Sequence, residues 1–154
     1  MRSEQMTRHS NLDRFVQAQA ASYETALHEI RSGAKRSHWM WYIFPQIAGL
    51  GHSEMARHYA IADRAEAAAY LAHPVLGDRL HEITQALQTL PDADPKRVFG
   101  NVDAMKLRSS LTLFARADND PNGLYRRALD RWFGGDQDEA TVLRLSRSHS
   151  HDGR

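Results

Sequence analysis

The chain has 154 residues, 42% of them apolar, and no cysteine, which suffices for one domain with a sizeable core and excludes disulfides, thiolate zinc sites and a cysteine nucleophile. Its 20 Lys and Arg against 19 Asp and Glu leave a formal charge of +1, far from the basic excess that sequence-independent nucleic-acid binding requires. No apolar run approaches the ~18 residues of a membrane span, and the first ten residues hold no apolar signal core; the expectation is a cytoplasmic protein with no membrane partner.

Residues 1–10 and 146–154 are polar and unpatterned and read as flexible tails around one helical domain, 11–145. From Asn11 the apolar residues Leu12, Phe15, Val16, Tyr23, Ala26, Leu27 and Ile30 recur at three and four, predicting one helix that Gly33 stops. Trp39 to Phe44 is the one segment rich enough in β-prone aromatics to be a strand. Pro45 and Ala48-Gly49-Leu50-Gly51 make a loop, and Ser53 is placed to cap a short helix through Tyr59. Asp63 caps the Ala-rich stretch Arg64 to Ala72, His73-Pro74 ends it, and Pro74 opens a helix striped by Leu76, Leu80, Ile83, Leu87 and Leu90. Asp94-Pro95 starts a short turn ending at Phe99-Gly100. A helix from Asp103 to Ala117 follows, with Met105, Leu107, Leu111, Leu113 and Phe114 as its apolar residues. Pro121 opens another that Gly134-Gly135 stops, and Asp138 opens the last, through Leu145. The prediction is an all-α bundle of about seven to eight helices joined by short Pro and Gly loops.

Most catalytic motifs fail on spacing. Gly49-Leu50-Gly51 lacks the third glycine of a dinucleotide loop, since Glu54 stands there. His28-Glu29 and His81-Glu82 begin the two-histidine zinc motif, but Ser32 and Gln85 occupy the closing positions, so no metal site and no cofactor is predicted. Two clusters remain. In the first, four aromatics stand within Trp39 to Phe44, and His38 at their edge has an imidazole suited to acid–base work near neutral pH. Gln19 interrupts an apolar stripe, where an unpaired buried amide costs ~1–3 kcal/mol, so it needs a partner, either irregular backbone or a ligand. Asp13 lies near the same helix start, where a carboxylate also favours the dipole. In the second cluster, Asp103, Lys106 and Ser110 share a helical face, with Ser109 adjacent. Lys106 and the backbone amides of that helix start suit an anion such as phosphate; the alternative is a capped helix with a solvated face.

Phe15-Val16-Gln17-Ala18-Gln19, the block Ser37-His38-Trp39-Met40-Trp41-Tyr42-Ile43-Phe44-Pro45-Gln46, Leu50-Gly51-His52-Ser53 and Tyr70 to Leu80 together resemble the bacterial domain-of-unknown-function 1810 family. Phe99-Gly100, Asp103, Lys106 and Ser109 to Phe114 continue the likeness, which spans Asn11 to Leu145. The resemblance implies a small helical protein. Some members carry the label calpastatin, an inhibitor that works through disordered repeats, whereas this composition is globular. A shorter stretch, Asp13-Arg14-Phe15-Val16-Gln17-Ala18-Gln19, resembles a helix of the NADAR (YbiA-like) N-glycosidases, which act on ribosylated intermediates and ADP-ribosyl groups. That likeness puts Asp13 where those proteins have Glu, and keeps the amides of Gln17 and Gln19.

Two readings follow. In the first, a pocket binds or hydrolyses a nucleotide-sugar or ADP-ribose-like ligand without metal: Trp39 or Trp41 stacks on it, Lys106 with Ser109 and Ser110 holds phosphate, and Asp13, His38 or Asp103 acts at the glycosidic centre. In the second, the chain is a non-catalytic helical module that binds another protein through exposed aromatics. Convergence of Asp13, His38 and Lys106 favours the first; their dispersal beside an apolar patch favours the second.

Overall fold

The structure, a computed structural model, describes residues 12–152, with side chains through Arg147. The expected N-terminal tail, 1–10, lies outside the described residues. The protein is all-α: ten helices account for the described fold, more than the seven to eight expected. Helix α1 covers 12–20, α2 Tyr23–Arg31, α3 Met40–Ile43, α4 Glu54–His58, α5 Arg64–Ala72, α6 Leu76–Gln88, α7 Pro95–Phe99, α8 Asn101–Asp118, α9 Leu124–Phe133 and α10 Glu139–Asp152. The last continues through most of the segment whose composition reads as a tail. Among the described residues, no helix is long and apolar enough to cross a membrane.

Local chemistry sets most of the boundaries. Ser53, Asp63 and Asp94 each accept a hydrogen bond from the backbone N–H three residues on, those of Ala56, Glu66 and Arg97, which satisfies one of the orphan donors of a helix start. Gly134 and Gly135 take φ of 62° and 77° after α9, the left-handed turn that ends a helix cheaply only at glycine. At α6 the cap is the His73 imidazole, whose Nδ1 accepts from Val75 and Leu76 N–H at 3.1 and 3.2 Å, while Pro74 stands just before the helix.

Two expectations fail for tertiary reasons. The predicted helix from Asn11 onward breaks at Ala21-Ser22, where Ser22 Oγ meets the Tyr42 hydroxyl at 3.0 Å instead of capping α2. The segment Trp39 to Phe44 is no strand. Its centre is the single helical turn of α3, with Met40 and Ile43 buried, because packing overrides β propensity in so short a piece. The sole β pairing among the described residues is a parallel bridge between Ile47 and Ile61.

Helices α6 and α8 form the two long sides of the bundle, and α5 and α9 each pack against both; α2 covers α6, while α7 and α10 cover α8. One aromatic group, Trp39, Phe44, Phe99 and Trp132, meets in tilted and edge-on pairs 6.2–6.4 Å apart. A second runs from Tyr59 through Phe15, Tyr70 and Phe114 to Tyr125. Edge-on contacts of this kind add to the apolar area that each ring buries.

Candidate functional site

The connection between α2 and α3 has no regular structure, so its backbone donors need partners from elsewhere. Glu29 supplies them. Its Oε1 accepts from the backbone N–H of Arg36 and Ser37 and from the Trp39 indole at 2.8–2.9 Å, and its Oε2 accepts the Ser37 hydroxyl at 2.5 Å. Burial by itself would raise the Glu29 carboxyl; these hydrogen bonds outweigh it and hold the group down at about 2. Trp39 is thereby drawn into the core, where it is 1% exposed.

Two residues on, Trp41 faces outward, and the tryptophans share a charge network. Lys35 Nζ lies 4.9 Å from the Trp39 ring centre and Lys106 Nζ 3.7 Å from that of Trp41. Asp103 joins them, with Oδ2 2.8 Å from Lys35 and Oδ1 3.3 Å from Lys106. Two ammonium groups on one carboxylate leave one positive charge in excess. Lys35 also donates to the Ser37 carbonyl at 2.6 Å.

Beside this network runs an open groove of about 340 Å³. The strip after α3 gives Trp41, Gln46, Ile47 and Leu50, α4 and its end give Ala56 and Tyr59, and α8 gives Val102, Met105, Lys106 and Ser109. Asp138 and Ala140 close it at the start of α10. The strip is held in place by the Ile47–Ile61 bridge, with Ala48 N–H on Ile61 O and Ile61 N–H on Gln46 O, both at 2.8 Å. Val102 and Met105, three apart on α8, are 68% and 64% exposed. Met105, read from the sequence as part of the α8 apolar stripe, therefore lies off it; Ala104, Leu107, Leu111 and Phe114 carry the buried face. Asp138 is committed to its own helix: Oδ2 accepts from Thr141 N–H and Oγ1, its own N–H goes to Thr112 Oγ1, and Arg108 approaches Oδ1 at 3.8 Å. Lys106 is thus the charged group of the groove that combines an apolar surround with an excess charge.

The structure brings together only part of the predicted set. Trp41, Lys106 and Ser109 line the groove, with Ser109 Oγ turned back to the Met105 carbonyl at 3.2 Å. Asp103 adjoins Lys106 with both oxygens in ion pairs. Trp39 belongs to the core. Ser110 is buried, and its hydroxyl has no partner among the described residues. Gln19, 1% exposed, is fully engaged by the protein: Nε2 donates to Tyr42 O at 2.7 Å and to the Tyr70 hydroxyl at 3.0 Å, and Oε1 accepts from Arg79 at 3.4 Å. Asp13, Gln17 and His38 are exposed and line no part of the groove. Among the described residues, no group of three or more His, Asp or Glu is arranged to hold a metal ion. Lys35 escaped the sequence reading and Glu29 entered it only as part of an incomplete zinc motif; both stand in a polar, charged stretch that gives no local signal of their roles.

Comparison with known proteins adds family and fold. Residues 9–145 match the family described as Protein of unknown function (DUF1810). The crystal structure of the conserved hypothetical protein Rv1873 from Mycobacterium tuberculosis is similar at 45% identity with a TM-score of 0.85, over 88% of this chain and 96% of that one. No curated protein matches. The chain belongs to the DUF1810 family.

Proposed function

We propose that this DUF1810-family chain is a binding module whose groove receives a segment of a partner protein, through apolar side chains and one acidic group. The observation that carries the reading is the outward display of Val102 and Met105, 68% and 64% exposed, on the lip of an apolar groove whose excess charge is the Lys106 ammonium. Large apolar side chains contiguous with a groove mark interaction surfaces more often than singly scattered ones, and aromatic and Met side chains are enriched at interface centres. Dispersal of Asp13 and His38 away from Lys106 supports the same reading. An acidic residue on the partner would meet Lys106 partly desolvated against Trp41, where a charge pair gains over one in open water.

Selection of a random peptide display library on the protein tests this, with the Val102→Glu/Met105→Glu double variant as counter-target. The expected peptides carry two or more large apolar residues and an Asp or Glu, and lose at least tenfold in affinity for the double variant. Peptides that bind both proteins equally refute the groove as the docking surface.

A nucleotide-sugar or ADP-ribose-like ligand, bound or cleaved at its N-glycosidic bond, is the competing reading, favoured by the Lys106 ammonium seated 3.7 Å over the Trp41 ring. It calls for a rise in thermal midpoint with ADP-ribose that Lys106→Ala abolishes; a ligand at 100 times its Kd adds ~2.7 kcal/mol.

A further inference from the structure

The parallel bridge between Ile47 and Ile61 is a two-strand sheet in miniature, and its two outer edges differ. The bridge uses Gln46 O and Ala48 N–H on one strip and Ile61 N–H and O on the other, both bonds at 2.8 Å. Alternation along an extended backbone then turns Ile47 N–H and C=O to the far edge of the first strip, and Ala60 O and Ala62 N–H to the far edge of the second. Side chains close the second edge: Arg14 donates to Ala60 O at 2.7 Å, and Glu66 Oε1 accepts from Ala62 N–H at 2.8 Å. The first edge is open. Ile47 N–H has no hydrogen-bond partner among the described residues. Its carbonyl starts the turn at Ala48-Gly49 without a hydrogen bond of ordinary length and angle.

That open edge belongs to the groove, because Ile47 lines it while being only 3% exposed. A buried backbone N–H left unpaired is rare, since nothing offsets the loss of its water, and strand edges without a cover are templates for another chain. Apolar surface continues past both walls. Met55 on α4 stands four residues before the groove-lining Tyr59, and Leu143 on α10 three after the groove-lining Ala140, so each extends a lining face by one turn. With Val102 and Met105, these two are the large apolar side chains left exposed among the described residues.

We propose that the partner segment enters the groove as an extended strand beside Ile47, exchanging backbone hydrogen bonds with its N–H and C=O and setting an Asp or Glu against Lys106. The inference rests on the groove being a docking site for a partner protein, and adds the conformation in which the segment binds. A docked helix has its own N–H and C=O groups engaged internally and leaves Ile47 unpaired; an extended chain has both to give. The acidic side chain follows from charge, since Lys35 and Lys106 share the single carboxylate of Asp103 and leave the groove one cation in excess.

The probe is the tightest peptide from the random display selection described above, resynthesised with one backbone N-methyl group at each position in turn. One central position should lose at least tenfold in affinity while its two neighbours lose less than twofold, because alternate N–H groups of a strand point away from its partner. Amide hydrogen exchange of the full chain reads the same edge from the other side. Without peptide, Ile47 N–H should exchange at least tenfold faster than Ala48 and Ile61 N–H, which the bridge holds; saturating peptide should slow it at least tenfold. An Ile47 amide as slow as that of Ala48 in the free chain overturns the proposal, because the edge is then already closed. Uniform tolerance of N-methylation, or uniform loss, overturns it too. If binding is still lost in Val102→Glu/Met105→Glu, the docking groove stands and the strand pairing alone falls; a selection that yields no peptide sinks both. Slowing of Ile47 exchange with rising protein concentration, peptide absent, makes a second copy of the chain the occupant and overturns the assignment to a partner protein.

Discussion

The Glu29 carboxylate makes a quantitative prediction. It sits 7% exposed and accepts four hydrogen bonds from the α2–α3 connection, and its carboxyl lies at about 2 against 4.5 unperturbed. A group whose folded value is depressed contributes stability that is fully present above its unfolded value and is lost as pH falls toward the folded one. The window therefore runs from about pH 5 down to about pH 2. The separation of the two values corresponds to roughly 3 kcal/mol, of which about 2 is gone by pH 3. Glu29→Gln keeps the shape and one acceptor oxygen, and the Ser37 hydroxyl can turn to accept from the new amide, so the fold should survive without the charge. Urea denaturation of parent and variant at half-unit steps from pH 7 to pH 2.5 isolates this carboxyl from the others, which titrate alike in both proteins. The parent should be the more stable by about 2–3 kcal/mol above pH 5, with the gap closing by about 2 kcal/mol at pH 3. A gap that stays constant across that range would refute the assignment of Glu29 as an ionised anchor.

Gly77→Ala should destabilise by about 3 kcal/mol or more, because its Cβ would fall 2.1 Å from the Leu71 carbonyl oxygen, and backbone must move to admit it. Gly100→Ala has nothing near its Cβ, but φ of +83° with ψ of 165° is a backbone conformation essentially confined to glycine, so the substitution should cost about 1–3 kcal/mol through backbone strain alone; an unchanged denaturant midpoint would contradict that account. Arg131→Met should cost about 1–2 kcal/mol and lower the thermal midpoint by roughly 3–8 °C. Its guanidinium donates to the carbonyls of Leu87, Gln88 and Leu90 at the end of α6, and an unchanged midpoint would show that those carbonyls are served equally well by water.

What was legible in the sequence is what a few consecutive residues decide. Ser53 and Asp63 cap their helices by reaching three residues ahead, and Gly134-Gly135 end α9 through their own φ; Asp94, read as starting a turn, caps the short helix α7 in the same way. What was not legible depends on residues far apart. The break at Ala21-Ser22 rests on Tyr42, 20 residues beyond Ser22, while the apolar period continues across it and reads as one helix. Met105 fits the α8 stripe as well as Leu107 does until the neighbours of α8 are placed, and those come from α5, α7, α9 and α10. Gln19 was half legible: burial in a stripe demands a partner, but the partners, Tyr42 and Tyr70, stand 23 and 51 residues away.

Trp39 and Trp41 show how one motif divides between the core and the groove. Their separation by two residues would put them on one face of a strand; in the observed backbone Trp39 caps α3 and Trp41 lies within it, so the two part. Glu29 takes the indole N–H of Trp39 inward, and Lys106 covers the ring of Trp41 outside. Asp103 spans the two through Lys35 and Lys106, with both oxygens engaged in ion pairs. Lys35 holds the Ser37 carbonyl on the same connection that Glu29 holds by its N–H groups. An anionic group arriving at Lys106 would compete with Asp103 for it, and Asp103 in turn is bound to the connection that seats Trp39. On the proposed reading, occupancy of the groove would be linked, through one carboxylate, to the segment that anchors the aromatic core.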